Sequence, residues 1–468
     1  MNATDQLSSI NRISEPQAAT DRATVRRALQ RFTIPGCLSE ILRSHVPECV
    51  NGTAVVADCA VLDSRFKTYL NPHNLVRSTL SACYSVRFNE GATGISSSTL
   101  FYIKAFLGGR SREAYERLSG GVETCSQRGR RVRHIPELDV ILWRFPDDPE
   151  LRSLTELMDP ETVRHHLPAQ SLSSIMGSQP FRVLDIEIVN YRPEIRCTNR
   201  YQVVSRRHDH PFTIFGKTYR EGEGRHLIGR WEYFWDRSLR EPDSMAVARP
   251  LGYTPAVNTL WQLGVEGTPL QQVLDESNFS HYLAATAKGL ATLHNSGIPG
   301  LVAHSPEDHL TEVRKKLQKL SAAIPHLAGT LGNIARHLEQ TAPRRSDIPF
   351  RPIHWDFHVH QLLAFKGKLV FCDLDELVIG DPLQDMANFI VDLHFRNFDP
   401  QFVQLVSAEL CHAYRRHVPW DVPAERLAWH ACIQFVNKAY RHYLRFAPGF
   451  EQTVEQIIRL AEGELARW

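Results

Sequence analysis

No run of about 18 uninterrupted apolar residues occurs, so nothing in the sequence reads as a membrane span, and residues 1–16 lack the apolar stretch of a secretory signal. A cytoplasmic protein is expected. A surplus of either charge is missing too: 54 Lys+Arg against 52 Asp+Glu leave a formal +2. Such a balance provides no net field to recruit nucleic acid or an acidic membrane, and neither is expected as a partner. Nine cysteines contain no Cys-x-x-Cys pair, which excludes a read-out of a disulfide framework or a zinc site. What is present is a globular composition, 43% hydrophobic and 23% charged.

At 468 residues the chain exceeds what one hydrophobic core organises, and two or three domains are expected. Polar, aperiodic residues 1–30 read as a flexible tail. Up to residue 272 short β runs dominate, among them Leu80 to Phe88, Thr99 to Phe106, Val183 to Val189 and Thr213 to Tyr219, punctuated by Gly, Pro, Asn and Asp. Beyond residue 273 the period turns helical: Leu283, Ala287, Leu290 and His294 share one face, as do Leu310, Val313, Leu317 and Leu320. Further helices are expected near 385–397, 402–417, 424–446 and 450–466.

The β half contains a diverged repeat. Tyr69, Pro72, Arg77, Tyr84 and Val86 precede Lys104 as Tyr191, Pro193, Arg196, Tyr201 and Val203 precede Lys217, and Leu142-Trp143 answers Leu260-Trp261. The boundaries that follow are a diverged lobe at 31–172, a second lobe at 173–272 and a helical domain at 273–468.

The most specific signal is His354-Trp355-Asp356, then Gln361, then Asp373-Leu374-Asp375, then Gly380-Asp381-Pro382 and Asp385. Between Leu362 and Phe371 a hairpin with a turn at Lys366-Gly367 brings Asp356, Gln361 and Asp373 to one end of a small sheet. Phosphoryl transfer needs a carboxylate beside the attacking hydroxyl and oxygen ligands for Mg²⁺ on the phosphates. Asp356 suits the first task, with His354 bracing its loop; Gln361 and Asp373, assisted by Asp375, suit the second.

In this order of motifs the chain resembles the aminoglycoside phosphotransferase and choline kinase superfamily of small-molecule kinases, with Gln361 where the family usually has Asn. The resemblance implies an α+β, protein-kinase-like two-lobe fold, here preceded by an additional β-rich lobe, and structural roles for Asp381 and Asp385. It implies a strand lysine for the nucleotide phosphates, which Lys217 provides with Glu232 as partner, and a hinge at Gln262 and Gly264 for the adenine edge. No G-x-G-x-x-G precedes Lys217. In the extra lobe Lys104 matches Lys217, with Glu113 or Glu116 nearby, yet only one His-x-Asp loop exists; the lobe is somewhat like the cap of bacterial maltokinases and is a candidate for assembly into homo-oligomers.

The expected function is therefore Mg²⁺-dependent transfer from ATP or GTP to a small-molecule hydroxyl. Residues 398–468 balance eight Asp+Glu with eight Lys+Arg, which disfavours a polycationic acceptor and favours a sugar or sugar conjugate. Two other classes compete: a nucleotide-binding pseudokinase or scaffold, and a metallohydrolase with His354, Asp356, His358 and His360 on one face of a strand. A protein kinase is disfavoured, because Gly380-Asp381-Pro382 follows Asp373 too soon for an activation loop.

Overall fold

A computed structural model describes residues 21–90, 96–119, 132–177, 180–205, 211–241 and 245–466. Two five-stranded antiparallel sheets come first. One is built from β1 (Ala54–Lys67), β2 (Thr79–Glu90), β3 (Ser96–Ala105), β4 (Val132–Ile135) and β5 (Val140–Arg144), in the order β1-β2-β3-β5-β4. The other uses β6 (Phe181–Arg192), β7 (Arg196–Ser205), β8 (Phe212–Tyr219), β10 (Pro250–Thr254) and β11 (Thr259–Leu263), in the order β6-β7-β8-β11-β10; β9 (Ala246–Val247) departs to another sheet. The topologies are the same, and in both a helix follows the third strand, Arg110–Ser119 and Ile228–Arg240.

Finer details repeat as well. Each lobe turns into its last strand through a left-handed residue, Asp139 (φ 55°) and Asn258 (φ 46°), types that tolerate this region better than most. Their carbonyls accept the amides of Phe106 at 2.9 Å and Tyr219 at 3.0 Å. Register equates Lys104, opposite Ile141, with Lys217, opposite Leu260, and keeps Tyr84 with Tyr201. It corrects two of the expected pairs. Leu142, not Trp143, answers Trp261, and Thr79, not Arg77, answers Arg196, because the strand partners Leu80–Ala105 and Cys197–Thr218 are equivalent. The gaps fall in connections whose lengths differ, where landmarks alone give no register.

The helical domain holds the helices Phe279–His294, Pro306–Ala323, Ala328–Gln340, Leu383–Leu393, Pro400–Arg415, Ala424–Arg445 and Phe450–Ala466. The face Leu283, Ala287, Leu290 and His294 is fully buried. Two small sheets lie beneath the lobes: β12 (Thr268–Pro269), β14 (Leu362–Phe365), β15 (Lys368–Phe371) and β9 form one, and β13 (Arg351–Ile353) with β16 (Val378–Gly380) the other.

Residues 21–50, expected as a tail and the start of the β half, are largely helical instead; residues 1–20 lie outside the described residues. Helix Arg22–Gln30 is capped by the Asp21 carboxylate and buries Val25 and Leu29. These side chains join one apolar core with Phe446, Phe450 and Val454 from the far end of the chain. Gln30 adds hydrogen bonds to the Phe446 and Ala447 carbonyls at 3.1 and 3.2 Å, and Phe66 of β1 stacks on Phe446 at 3.9 Å. The first lobe therefore shares its core with the last two helices. It also meets the second lobe, where Asp148 accepts from Tyr191 at 2.7 Å and from the Glu194 amide at 3.0 Å. No helix among the described residues is long and apolar enough to cross a membrane.

Candidate active site

The hairpin forms as expected, with a two-residue turn at Lys366 (φ 49°) and Gly367 (φ 76°), the positive-φ pair that suits tight antiparallel ribbons. Its open end is fixed by three hydrogen bonds. The Cys372 amide donates to Gln361 O at 2.8 Å, His354 Nε2 meets Cys372 O at 2.9 Å, and the Gln361 amide donates to His358 O at 2.9 Å. His354, Gln361 and Asp373 are thereby drawn to one place.

Buried Asp385 shapes the His354–Asp356 loop. Its carboxylate accepts the backbone amides of His354 at 2.6 Å and Trp355 at 2.8 Å, and it meets His294 Nε2 at 3.1 Å. Trp355 is held at φ 72°, strained for an aromatic residue, and this turn delivers Asp356 to a cleft with its side chain 39% exposed. Asp381 caps the helix Leu383–Leu393 through the Leu383 amide at 3.0 Å and faces His430 at 3.0 Å and Arg426 at 3.2 Å. Burial alone would raise the Asp381 pKa, but His430 and Arg426 outweigh it and hold the carboxyl below the usual range.

Lys217 reaches across from β8 to the acids after the hairpin, with Nζ 2.6 Å from Asp373 Oδ1 and 2.5 Å from Asp375 Oδ2. Arg196 stands behind it, 3.6 Å from Asp373 and 3.7 Å from Asp375. Desolvation works to raise the pKa of Asp373; Lys217 and Arg196 reverse that and leave it depressed. Tyr219 donates its hydroxyl to Asp375 at 2.8 Å, and Arg230 donates to the Asp375 carbonyl. Arg196, Tyr219 and Arg230 escaped the sequence reading. A signal existed for Arg196: it is where the two lobes differ, Thr79 in one and arginine in the other.

Three expectations do not appear in this arrangement. Glu232 lies on the exposed side of its helix, and the ion-pair partners of Lys217 are the two aspartates instead. The helix packs its Trp231 and Phe234 inward, which turns the adjacent glutamate out. At the hinge, the Leu263 and Gly264 amides are already bonded, to Arg249 O at 2.9 Å and Thr213 O at 2.8 Å, so these two do not offer a free edge to adenine. Gly264 is required there because a Cβ would meet Thr213 at 2.7 Å. Gln262 does bury its Nε2 without a partner. Finally, His354, Asp356, His358 and His360 occupy a loop and a 3-10 turn, not a strand; His354 turns to Cys372 O while His360 is exposed. Among the described residues no group of three or more His, Cys, Asp or Glu side chains is placed to hold a metal.

A hard divalent cation prefers oxygen ligands, and the end of the hairpin supplies them. Asp375 Oδ1 is buried with no hydrogen-bond partner, and Gln361 engages only its Nε2, with His358 at 3.3 Å, so its amide oxygen is uncommitted. Asp373, Asp375 and Gln361 thus suit such an ion.

Residues 235–420 match the model of the APH family, described as a phosphotransferase enzyme family, and this stretch contains the entire His354–Asp385 array. The resemblance read from those residues is thus met by a phosphotransferase family model over this part of the chain. The fold is α+β, with an extra sheet lobe in front. No curated protein sequence matches the chain. Among solved structures, choline kinase from Streptococcus pneumoniae is similar at 13% identity and TM-score 0.43, covering 64% of this chain and 97% of its own. A putative aminoglycoside phosphotransferase from Ralstonia eutropha JMP134 is similar at 12% identity and TM-score 0.47, covering 64% of this chain and 98% of its own. Amicoumacin kinase, solved with AMP-PNP and Ca²⁺, is similar at 12% identity and TM-score 0.44, covering 59% of this chain and 88% of its own.

Proposed function

We propose that the chain transfers the terminal phosphate of ATP or GTP to a hydroxyl of a sugar or sugar conjugate, with Asp356 as the group that takes the hydroxyl proton. The observation that supports this most is the meeting of Lys217 with Asp373 and Asp375 at 2.5–2.6 Å across the lobes, while the adjacent loop turns Asp356 toward an open cleft. In this reading Asp373, Asp375 and Gln361 hold Mg²⁺, which offsets the charge of the phosphates. Lys217 then exchanges its carboxylate partners for phosphate oxygens, and Arg196 stays to balance the two acids. His354 and Asp385 fix the loop, so that Asp356 meets the hydroxyl without reorganising.

The test is nucleotide consumption by the purified chain against a panel of hydroxyl compounds, with Mg²⁺ or with chelator. Acceptor-dependent turnover that needs Mg²⁺ and is lost in Asp356→Asn, with nucleotide binding retained, is the expected result. Nucleotide binding with no turnover on any acceptor favours a pseudokinase, and turnover that persists undiminished in Asp356→Asn removes this residue as the base. The cytoplasm is the proposed location.

A further inference from the structure

Successive side chains of a strand point to opposite faces, so Lys217 and Tyr219, two positions apart on β8, share one face. Both reach the same oxygen across the lobes. Lys217 Nζ lies 2.5 Å from Asp375 Oδ2, and the Tyr219 hydroxyl donates to that oxygen at 2.8 Å. Arg196 approaches it too, at 3.7 Å, while Arg230 holds the backbone of Asp375 by donating to its carbonyl. All of these contacts leave Oδ1 alone. It is buried without a hydrogen-bond partner, on a side chain that is 6% exposed. A buried carboxylate oxygen with no donor is costly to keep, and beside Asp373 and Gln361 the partner that suits it is a hard cation.

The duplicated lobe shows which part of this arrangement the frame itself does not require. Lys104 and Lys217 share a register position, so Phe106 stands in the first lobe where Tyr219 stands in the second. Their amides make the same bond, to the carbonyl of the left-handed turn residue at 2.9 and 3.0 Å. Both rings are buried, Phe106 against Tyr102, Ile141 and Trp143. A phenyl ring therefore satisfies the fold at this position, and the hydroxyl occurs only in the lobe that faces the acids. Burial, followed by the charge of Asp375, pushes the Tyr219 phenol well above its ordinary pKa, so it remains a donor at neutral pH.

We propose that Tyr219 is a positioning residue: its hydroxyl grips Asp375 by Oδ2 and so presents Oδ1 as an oxygen ligand for the divalent ion that accompanies the nucleotide. This rests on the kinase reading of the site. The grip matters most once Lys217 has turned to the phosphates, because Tyr219 is then the donor from β8 that stays on Oδ2. Removing the hydroxyl isolates this contact, since the ring that lies 5.7 Å from Lys217 Nζ is kept by phenylalanine.

The experiment measures Mn²⁺ uptake by the full chain in the presence of AMP-PNP, from the loss of the free-ion electron paramagnetic resonance signal, and AMP-PNP affinity in chelator by calorimetry. Tyr219→Phe should weaken Mn²⁺ binding about tenfold or more while leaving metal-free AMP-PNP affinity within about twofold. Its circular dichroism and thermal midpoint in chelator should stay close to those of the parent, as Phe106 in the sister lobe implies. Asp375→Asn should weaken Mn²⁺ at least as much, and adding Tyr219→Phe to it should cost nothing further, because the hydroxyl acts through that carboxylate. Unchanged Mn²⁺ affinity in Tyr219→Phe, alongside a loss in Asp373→Asn, overturns the role of Tyr219 and leaves the kinase reading standing. Additive losses in the double variant, or an equal fall in metal-free AMP-PNP affinity, also overturn it and make the hydroxyl a lobe-to-lobe latch. No Mn²⁺ uptake by the parent chain with AMP-PNP removes the metal-dependent kinase reading and this inference with it.

Discussion

Lys104 and Lys217 occupy the same position in two sheets of the same topology, yet they hold different partners. Lys104 reaches Glu194 on the turn before β7 at 2.6 Å, pinning one lobe to the other, while Lys217 crosses to Asp373 and Asp375. The apolar pair beside each lysine has been exchanged in size. Ile103 faces Leu142 in the first sheet; Gly216 faces Trp261 in the second, where an added Cβ would meet the indole at 2.7 Å. Two residues of middle size are thus replaced by one large and one small, as close packing requires. A duplicated frame thus keeps its register, its left-handed turn residue and its lysine, while the surroundings decide whether that lysine is a strut or part of the site.

The sharpest break of the comparison is the paired substitution of the lysines. Lys217→Ala should reduce kcat/KM by about 100- to 1000-fold, because a preorganised positive charge at the phosphates is lost. Lys104→Ala should leave it within about threefold, as steady-state kinetics will show. Equal losses would mean that both lobes serve the nucleotide. Next in size, Ile103→Ala opens a cavity and should cost about 2–4 kcal/mol in urea unfolding. Gly216→Ala overpacks against Trp261 and should cost about 1–3 kcal/mol, with a change in intrinsic tryptophan fluorescence. Smallest is the strut itself. Lys104 and Glu194 are 27% and 24% exposed, so their partly screened pair should be worth about 1 kcal/mol or less, read from the same unfolding curves of Lys104→Ala and Glu194→Ala and their double mutant.

The helical domain has an acid sensitivity to set against the β lobes. His309 is buried against Trp355, and burial together with His430 and His304 lowers its pKa from 6.5 to about 2. A depressed histidine stays neutral in the fold but is protonated in the unfolded chain below pH 6.5, so its presence costs stability progressively as pH falls from 6.5 toward 2. His309→Asn should move the acid unfolding midpoint, followed by far-ultraviolet circular dichroism, to lower pH. An unchanged midpoint would assign acid unfolding to the carboxylates instead.

What the sequence made legible was local. His354, Asp356, Gln361, Asp373 and Asp385 lie within 32 consecutive positions, and turn chemistry at Lys366-Gly367 is enough to fold them together. The helices carried by strong periodicity came out within a few residues of their observed ends. Contacts across the chain did not come out. Tyr219 and Asp375 are 156 residues apart, and Arg230 and Asp375 are 145 apart, so no spacing rule links them. Glu232 was given to Lys217 by analogy with the family, but the helix phase set by Trp231 and Phe234 turns it outward. Residues 22–30 looked like a tail because their apolar stripe of Val25 and Leu29 is short, and its complement lies more than 400 positions away, beside Phe446.

That last clasp has a consequence for biosynthesis. Gln30 of the helix Arg22–Gln30 finds its acceptors in the Phe446 and Ala447 carbonyls, so the front lobe keeps an uncovered apolar edge until residues 446–454 have been made. Removing residues 446–454 would strand Val25 and Leu29, and a nascent polypeptide halted before residue 446 is a natural client for chaperones.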